Sequence, residues 1–220
     1  MILAVITSCV FTEDTERVVT IDSNEKAFGC NSFEFIDSQT FKIDNIIYSL
    51  NNNHLEVTGY NKRFEGKARF ISALNYHGTV YKTTVIDSHA FSNCKTLSDI
   101  EIPKSITHIG EFAFAECTNL KEFSFPRKIK IIHSVFRNCD SLETIFLPRE
   151  VTKIDCEFKY SCKNLKRIVI PKGSRQKFEK LIERKYHYLI VEKQWHSRRN
   201  PETNPKEVTC IQNKIKVSTN

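Results

Sequence analysis

The chain has 220 residues, 40% of them hydrophobic and 27% charged, which is enough apolar material for a packed core and too much for wholesale disorder. Six Gly and six Pro exclude collagen-like and Pro-rich chains, and no apolar run approaches the roughly 18–20 residues a membrane-spanning helix needs. The formal charge of +7 is unevenly placed: residues 11–40 hold seven acids and two bases, whereas residues 171–220 hold twelve bases and five acids. Such polarity marks either a solvated helix face followed by a basic tail, or a contact site for nucleic acid or another acidic partner.

In chain order, the N-terminus reads MILAVITSCV, an apolar run ending in Ile-Thr-Ser-Cys. It is similar to a bacterial lipobox, which implies lipidation of Cys9 and a membrane tether through it. On that reading residues 1–40 are a lipoprotein signal followed by a polar tether. The apolar run is shorter than the usual h-region of about 7–15 residues and has no Lys or Arg before it. The alternative is a first strand, or a cytosolic protein with free thiols. Residues 41–60, FKIDNIIYSLNNNHLEVTGY, read as two strands around an Asn-rich turn, and residues 68–86 as a hairpin around NYHG. Together, residues 41–82 form a β-hairpin N-terminal cap.

From residue 83 the chain repeats itself. Cys94, Cys117, Cys139 and Cys162 fall at steps of 23, 22 and 23, and so do Leu97, Leu120, Leu142, Leu165 and Pro103, Pro126, Pro148, Pro171. Between each Leu and Pro stand LSDIEIP, LKEFSFP, LETIFLP and LKRIVIP, and an aromatic precedes each Cys. The apolar alternation before each Pro is the period-2 signature of a strand with one buried face, and the Pro ends it by removing a backbone donor. One copy cannot cover its own apolar face, whereas stacked copies cover one another. Residues 83–171 therefore read as a repeat solenoid of about four copies of 22–23 residues.

That stacking places the cysteine column in the core, where thiols act as small hydrophobes. Cys156 lies outside the column, and Cys30 and Cys210 sit in polar flanks, where a reactive pair would be sought. No C-x-x-C occurs, so zinc-ribbon and thioredoxin readings lack their signature.

The unit IGEFAFAECTNLKEFSFP resembles the BspA-type leucine-rich repeat, whose Ala-Phe, Cys, Leu and Ile-x-Ile-Pro recur here in order over about residues 83–171. Copy three is one residue short, and copy four has lost the Ala-Phe pair. The preceding hairpins resemble the β-rich lead-in of small bacterial members, with Ile71-Ser72 where those often have Ile-Pro. The resemblance implies a bacterial surface or secreted protein, at the outer membrane if it is a lipoprotein, and for larger members adhesion.

After Pro171, Ser174 reads as a helix N-cap. Phe178, Leu181, Ile182 and Lys185 follow at helical spacing, and YLIVE (188–192) reads as a closing strand. Residues 172–192 thus form a C-terminal helix-strand cap, and residues 193–220 a flexible basic tail.

Catalytic signatures are lacking: there is no G-x-S-x-G, H-E-x-x-H, G-x-G-x-x-G or P-loop motif. The seven histidines are scattered, none with metal-ligand spacing and a carboxylate partner. No catalytic residue, cofactor or metal site is expected. If the function is binding, alternation turns two columns of each strand to solvent: Asp99, Glu122, Thr144, Arg167 and Glu101, Ser124, Phe146, Val169. This face passes from acidic to basic and apolar, and an exposed aromatic beside a basic residue is a favoured interface anchor. The alternative is that Phe146 merely packs on the C-terminal segment. The expected function is non-catalytic recognition of an extracellular protein or glycan through the repeat sheet. The second hypothesis is intracellular binding of nucleic acid or an acidic partner through the tail, where Trp195, His196, Arg198 and Arg199 interleave aromatic and basic groups. The third is a structural spacer.

Overall fold

The computed structural model describes residues 17–62, 64–156 and 158–194. Cys9, Cys210 and the tail residues Trp195, His196, Arg198 and Arg199 lie outside them. Nine strands come first: β1 (Val18–Ile21), β2 (Ala27–Phe28), β3 (Phe33–Phe35), β4 (Thr40–Ile43), β5 (Ile46–Asn51), β6 (His54–Tyr60), β7 (Gly66–Arg69), β8 (Ala73–Tyr76) and β9 (Thr79–Ile86). All but β7 join one sheet in the order β2-β1-β8-β9-β6-β5-β4-β3. Its turns are legible in the residues. Asp44 and Asn45, both at positive φ, link β4 to β5, and His77-Gly78, also both positive, link β8 to β9. These are the left-handed pairs that match the twist of a two-residue hairpin. Burial alternates along β4, β5 and β6, so one face carries Phe41, Ile43, Tyr48, Leu55 and Val57 into the core.

The region read as a tether up to residue 40 holds the strands β1, β2 and β3 and the turns between them from Val18 onward. β1 runs parallel to β8, with Val19 and Ile21 buried. Asp44 organises this corner. Its carboxylate accepts the Asn31 and Ser32 backbone N–H groups at 2.8 Å each and pairs with Arg17. Acids inside the segment read as tether are placed as well: Asp22 Oδ1 accepts the Asn24 and Lys26 N–H groups at 2.9 Å each, and Glu34 of β3 pairs with Lys42. Deeper in, the fully buried Tyr48 hydroxyl accepts the Ile71 N–H at 3.1 Å, and burial pushes its pKa up.

The repeat begins structurally with β7. It lies parallel to β10 (Leu97–Glu101), pairing Ala68 with Ile100 and Arg69 with Glu101. Then β12 (Glu122–Ser124), β14 (Thr144–Phe146) and β16 (Arg167–Pro171) pair in parallel at the step of the sequence repeat, Phe123 with Ile145 and Ile145 with Ile168. A second set of short strands follows each Pro: β11 (His108–Ile109) pairs with β9, and β13 (Ile131–Ile132) with β15 (Lys153–Ile154).

The Ala-Phe turns stack too. Phe91 N–H bonds to Ala113 O at 2.7 Å, Asn93 N–H to Ala115 O at 2.7 Å and Glu116 N–H to Arg137 O at 2.6 Å. Just before each of the first three column cysteines the chain turns left-handed, at Asn93, Glu116 and Asn138. Asn tolerates that conformation better than most residues. At Gly110 two coils approach so closely that a Cβ would lie 2.6 Å from Ser88 Oγ and 2.7 Å from Ser88 Cα.

The column Leu97, Leu120, Leu142, Leu165 is buried, with Phe91, Phe114 and Phe123 packed in series beside it. The cysteine column is buried and free of disulfides. The thiols also bridge coils: Cys117 Sγ donates to Phe91 O at 3.2 Å and Cys139 Sγ to Phe114 O at 2.9 Å. The Phe91 carbonyl also accepts the Cys94 N–H at 3.1 Å, so the Cys117 thiol adds a second bond to a carbonyl already engaged.

At the C-terminal end, a short helical turn α1 (Phe158–Ser161) precedes β16, and α2 (Arg175–Leu181) follows it. Ser174 is the N-cap residue, but its side chain does not cap; the hydroxyl turns back to the Pro171 carbonyl. The cap comes instead from Glu192, whose Oε1 accepts the Ser174 and Arg175 N–H groups at 3.0 Å each. A 3-10 turn, Arg184–Leu189, occupies the start of the segment expected as strand. The strand β17 (Ile190–Lys193) begins later and adds in parallel to β16.

Candidate functional site

Side chains alternate along β10, β12, β14 and β16. Ile100, Phe123, Ile145 and Ile168 point into the core and the residues between them to the opposite face. Six of the sequence-derived positions, Glu122, Ser124, Thr144, Phe146, Arg167 and Val169, lie on the one ladder β12-β14-β16, whereas Asp99 and Glu101 stand on β10, which pairs with β7 in a separate sheet. Asp99 and Glu101 stand opposite Lys67 and Arg69 of β7. Lys67 Nζ lies 3.0 Å from Asp99 Oδ2 and 2.6 Å from Glu101 Oε1, and Arg69 Nε 3.4 Å from Glu101 Oε2. The hydrogen bond to Glu101 holds the Lys67 pKa above its ordinary value. The end of the face that reads as acidic in the repeats alone is thus electrically balanced. Lys67 and Arg69 were missed because their strand precedes the recognisable copies. The signal was the alternation K-A-R-F, in which Ala68 and Phe70 are buried.

Two positions expected to face solvent are closed off. Thr144 is 1% exposed: it sits between Glu122 and Arg167 in the ladder, and Arg167 Nη2 reaches across to donate to its Oγ1 at 3.1 Å. Val169 is 1% exposed, because Phe146 flanks it on one strand and Val191 of β17 on the other. What stays accessible is exposed Glu122 and Arg167, with half-buried Ser124 and Phe146. Beside them Lys166 Nζ pairs with Glu143 Oε1 at 2.8 Å, and that bond holds the Glu143 carboxyl below its ordinary value. The result is a flat, hydrogen-bonded surface on which one aromatic and one guanidinium stand above a buried threonine and valine.

The reactive-thiol reading for Cys30 meets a half-buried side chain whose pKa is raised by burial and by Asp44. Such a thiol is less nucleophilic at neutral pH, not more. Cys156 is pushed up to about 12 by burial. Among the described residues no group of three or more His, Cys, Asp or Glu side chains is arranged to hold a metal ion. None of the described helices is long and apolar enough to cross a membrane.

Parallel strands repeating at 22–23 residues, a buried Leu-Cys-Phe series and an open sheet face define a leucine-rich repeat fold, the architecture of a binding scaffold. The chain belongs to the family described as the BspA type leucine rich repeat region, whose model matches six copies over residues 71–182, a little over half of the chain. That match extends on both sides of the four copies read from the sequence.

The fold is similar to that of a leucine-rich repeat protein from Bacteroides capillosus ATCC 29799 (TM-score 0.56, 24% identity, 60% of this chain and 99% of that one). It is also similar to a leucine rich cell surface protein from Faecalibacterium prausnitzii A2-165 (TM-score 0.52, 28% identity, 61% of this chain and 34% of that one). A leucine-rich repeat protein from Bacteroides ovatus ATCC 8483 gives a TM-score of 0.52 at 28% identity, over 64% of this chain and 36% of that one. The chain spans about a third of the length of these last two. No curated protein matches it.

Proposed function

We propose that the chain is a non-catalytic recognition module of the cell surface or of a secreted protein, binding a protein or glycan partner through the repeat sheet in an adhesive role. The observation that carries this reading is the row Ser124-Phe146-Val169 beside Arg167, held in register by parallel strands. A preorganised aromatic and guanidinium, already ordered before contact, lose little entropy on binding. Residues of these types dominate interface energetics. The buried Thr144 and Val169 act as the floor of the surface and not as contacts. A surface setting agrees with the family and with the cell-surface description of the Faecalibacterium relative. On this proposal the repeats form a short solenoid closed by α2 and β17, and lipidation at Cys9 tethers the protein to the membrane.

Two measurements test the reading. Intact mass and fractionation of native protein, with Cys9→Ala as control, should show an acylated, membrane-associated chain; an unmodified cytosolic chain would remove the tether. In a binding screen against purified extracellular proteins and glycans, Phe146→Ala and Arg167→Ala should each weaken any hit by about tenfold or more, the loss of a hot-spot residue. Hits unaffected by both substitutions would refute the sheet as the contact surface.

A further inference from the structure

A second surface lies one corner away from the sheet face. Each of the four prolines that ends a repeat strand is buried and opens a tight turn. Its carbonyl accepts the N–H three residues on: Ile106 to Pro103 at 3.2 Å, Ile129 to Pro126 at 3.1 Å, Val151 to Pro148 at 3.4 Å and Ser174 to Pro171 at 3.1 Å. The residue after the proline is always a cation, Lys104, Arg127, Arg149 or Lys172, and all four are exposed. The four turns follow one another coil by coil. Parallel strands lie about 4.8 Å apart, so the part of the file set by the β12-β14-β16 ladder, from Arg127 to Lys172, extends over roughly 10 Å.

Arg149 and Lys172 show the stacking directly, since Arg149 Nη2 donates to the Lys172 carbonyl at 2.8 Å. That bond lays the guanidinium along the file and leaves its other N–H groups for a ligand. Among the described residues, Arg127, Arg149 and Lys172 form no ion pair with a carboxylate. Exposed Lys128 and Lys130 widen the positive strip beside Arg127. Within the turns the one opposing charge is Glu150.

We propose that this file of corner cations binds a linear sulfated polysaccharide laid across the coils. A cation on every coil suits a polymer with an anionic group on successive sugars, and guanidinium and ammonium groups recognise sulfate and carboxylate by charge-assisted hydrogen bonds. Nucleic acid fits less well. Single strands are held by stacking bases on aromatic side chains, and the residues following the four cations are Ser105, Lys128, Glu150 and Gly173, none of them aromatic. A single row also lacks the second track that a duplex requires. The surface is separate from Phe146 and Arg167, so it stands or falls independently of the sheet-face proposal.

The test uses the full chain and immobilised heparin as the sulfated-glycan probe, with affinity measured between about 0.05 and 0.2 M salt. The three cations Arg127, Arg149 and Lys172 give a slope of log affinity against log salt near −2. Arg127→Ser combined with Arg149→Ser should flatten that slope by about 1.5 and weaken binding at 0.1 M salt roughly 25- to 60-fold. Glu150→Lys should strengthen binding and steepen the slope. Phe146→Ala with Arg167→Ala should leave heparin binding unchanged. The gain in the Glu150→Lys protein decides the matter if the double substitution disturbs folding. The proposal is overturned by absence of heparin binding, by an affinity indifferent to Arg127, Arg149 and Glu150, by an equal loss in the sheet-face variant, or by a single-stranded DNA oligonucleotide that binds tighter than heparin.

Discussion

Gly110→Ala isolates the close approach of two coils. The added methyl would meet Ser88 Oγ at 2.6 Å, Ser88 Cα at 2.7 Å and the Ser88 backbone nitrogen closer still. Real Cβ atoms essentially never come within 3.0 Å of such an atom, so the first and second coils must separate by roughly half an ångström or more. That motion stretches the Gly110 N–H bond to Ile86 O, now 2.8 Å, and the parallel pairing of Ile109 with Ile86. Overpacking costs about 1–3 kcal/mol and a weakened backbone bond about 1 kcal/mol. The expected destabilisation is therefore about 2–4 kcal/mol, equivalent to a fall in Tm of roughly 5–15 °C for a chain of this size. Urea unfolding should show a lower midpoint at unchanged m-value. Adding Ser88→Gly should recover less than half of the loss, because the nitrogen and Cα remain in place. A Gly110→Ala protein within about 0.5 kcal/mol of the parent, the scatter of ordinary surface substitutions, would refute the packing argument.

Tyr48→Phe removes the acceptor for the buried Ile71 N–H, and an orphaned buried donor should lower stability by about 1–3 kcal/mol; a neutral result in chemical denaturation would mean that the amide finds another partner. Glu192→Ala withdraws the carboxylate from the Ser174 and Arg175 N–H groups. Unfolding curves should show a loss of about 0.5–2 kcal/mol, the usual worth of an N-cap, while Ser174→Ala should not lose a cap that its hydroxyl does not provide. Glu116→Asn places at a left-handed position (φ 58) the residue type found at its two repeat equivalents, Asn93 and Asn138. It should raise stability by a few tenths of a kcal/mol to about 1, and a lower Tm would contradict the assignment of strain.

Much of the repeat was legible in the residues, and the reason is local. A strand with one buried face writes its period of two into Ile-x-Ile-Pro, and stacking writes the 22–23-residue step into the Leu, Cys and Pro columns. The turn at NYHG and the Asn-rich turn were readable, because left-handed turns select Asn, His-Gly and their like. Residues 41–60 nevertheless hold three strands and not two, since Asp44-Asn45 makes a further left-handed turn. The candidate face was legible as a list of alternating positions, but not as a surface. Burial of Val169 depends on Val191, and burial of Thr144 on the reach of Arg167, both set by pairings across 22 residues or more.

Other features depended on strands that carry no repeat signature. β7 supplies the cations that balance Asp99 and Glu101, although its sequence lacks the Leu and Cys of a copy. β17 supplies the carboxylate that caps α2, a role that helix-start chemistry assigns to Ser174. β1 is drawn into the sheet by β8, 55 residues away at Val18 and Ala73, although the flanking acids read as tether. A one-dimensional pattern specifies which side chains an element turns inward, because that follows from the geometry of the element itself. Which groups neutralise, cover or cap them depends on neighbours brought in from distant parts of the chain, and only the tertiary structure selects those neighbours.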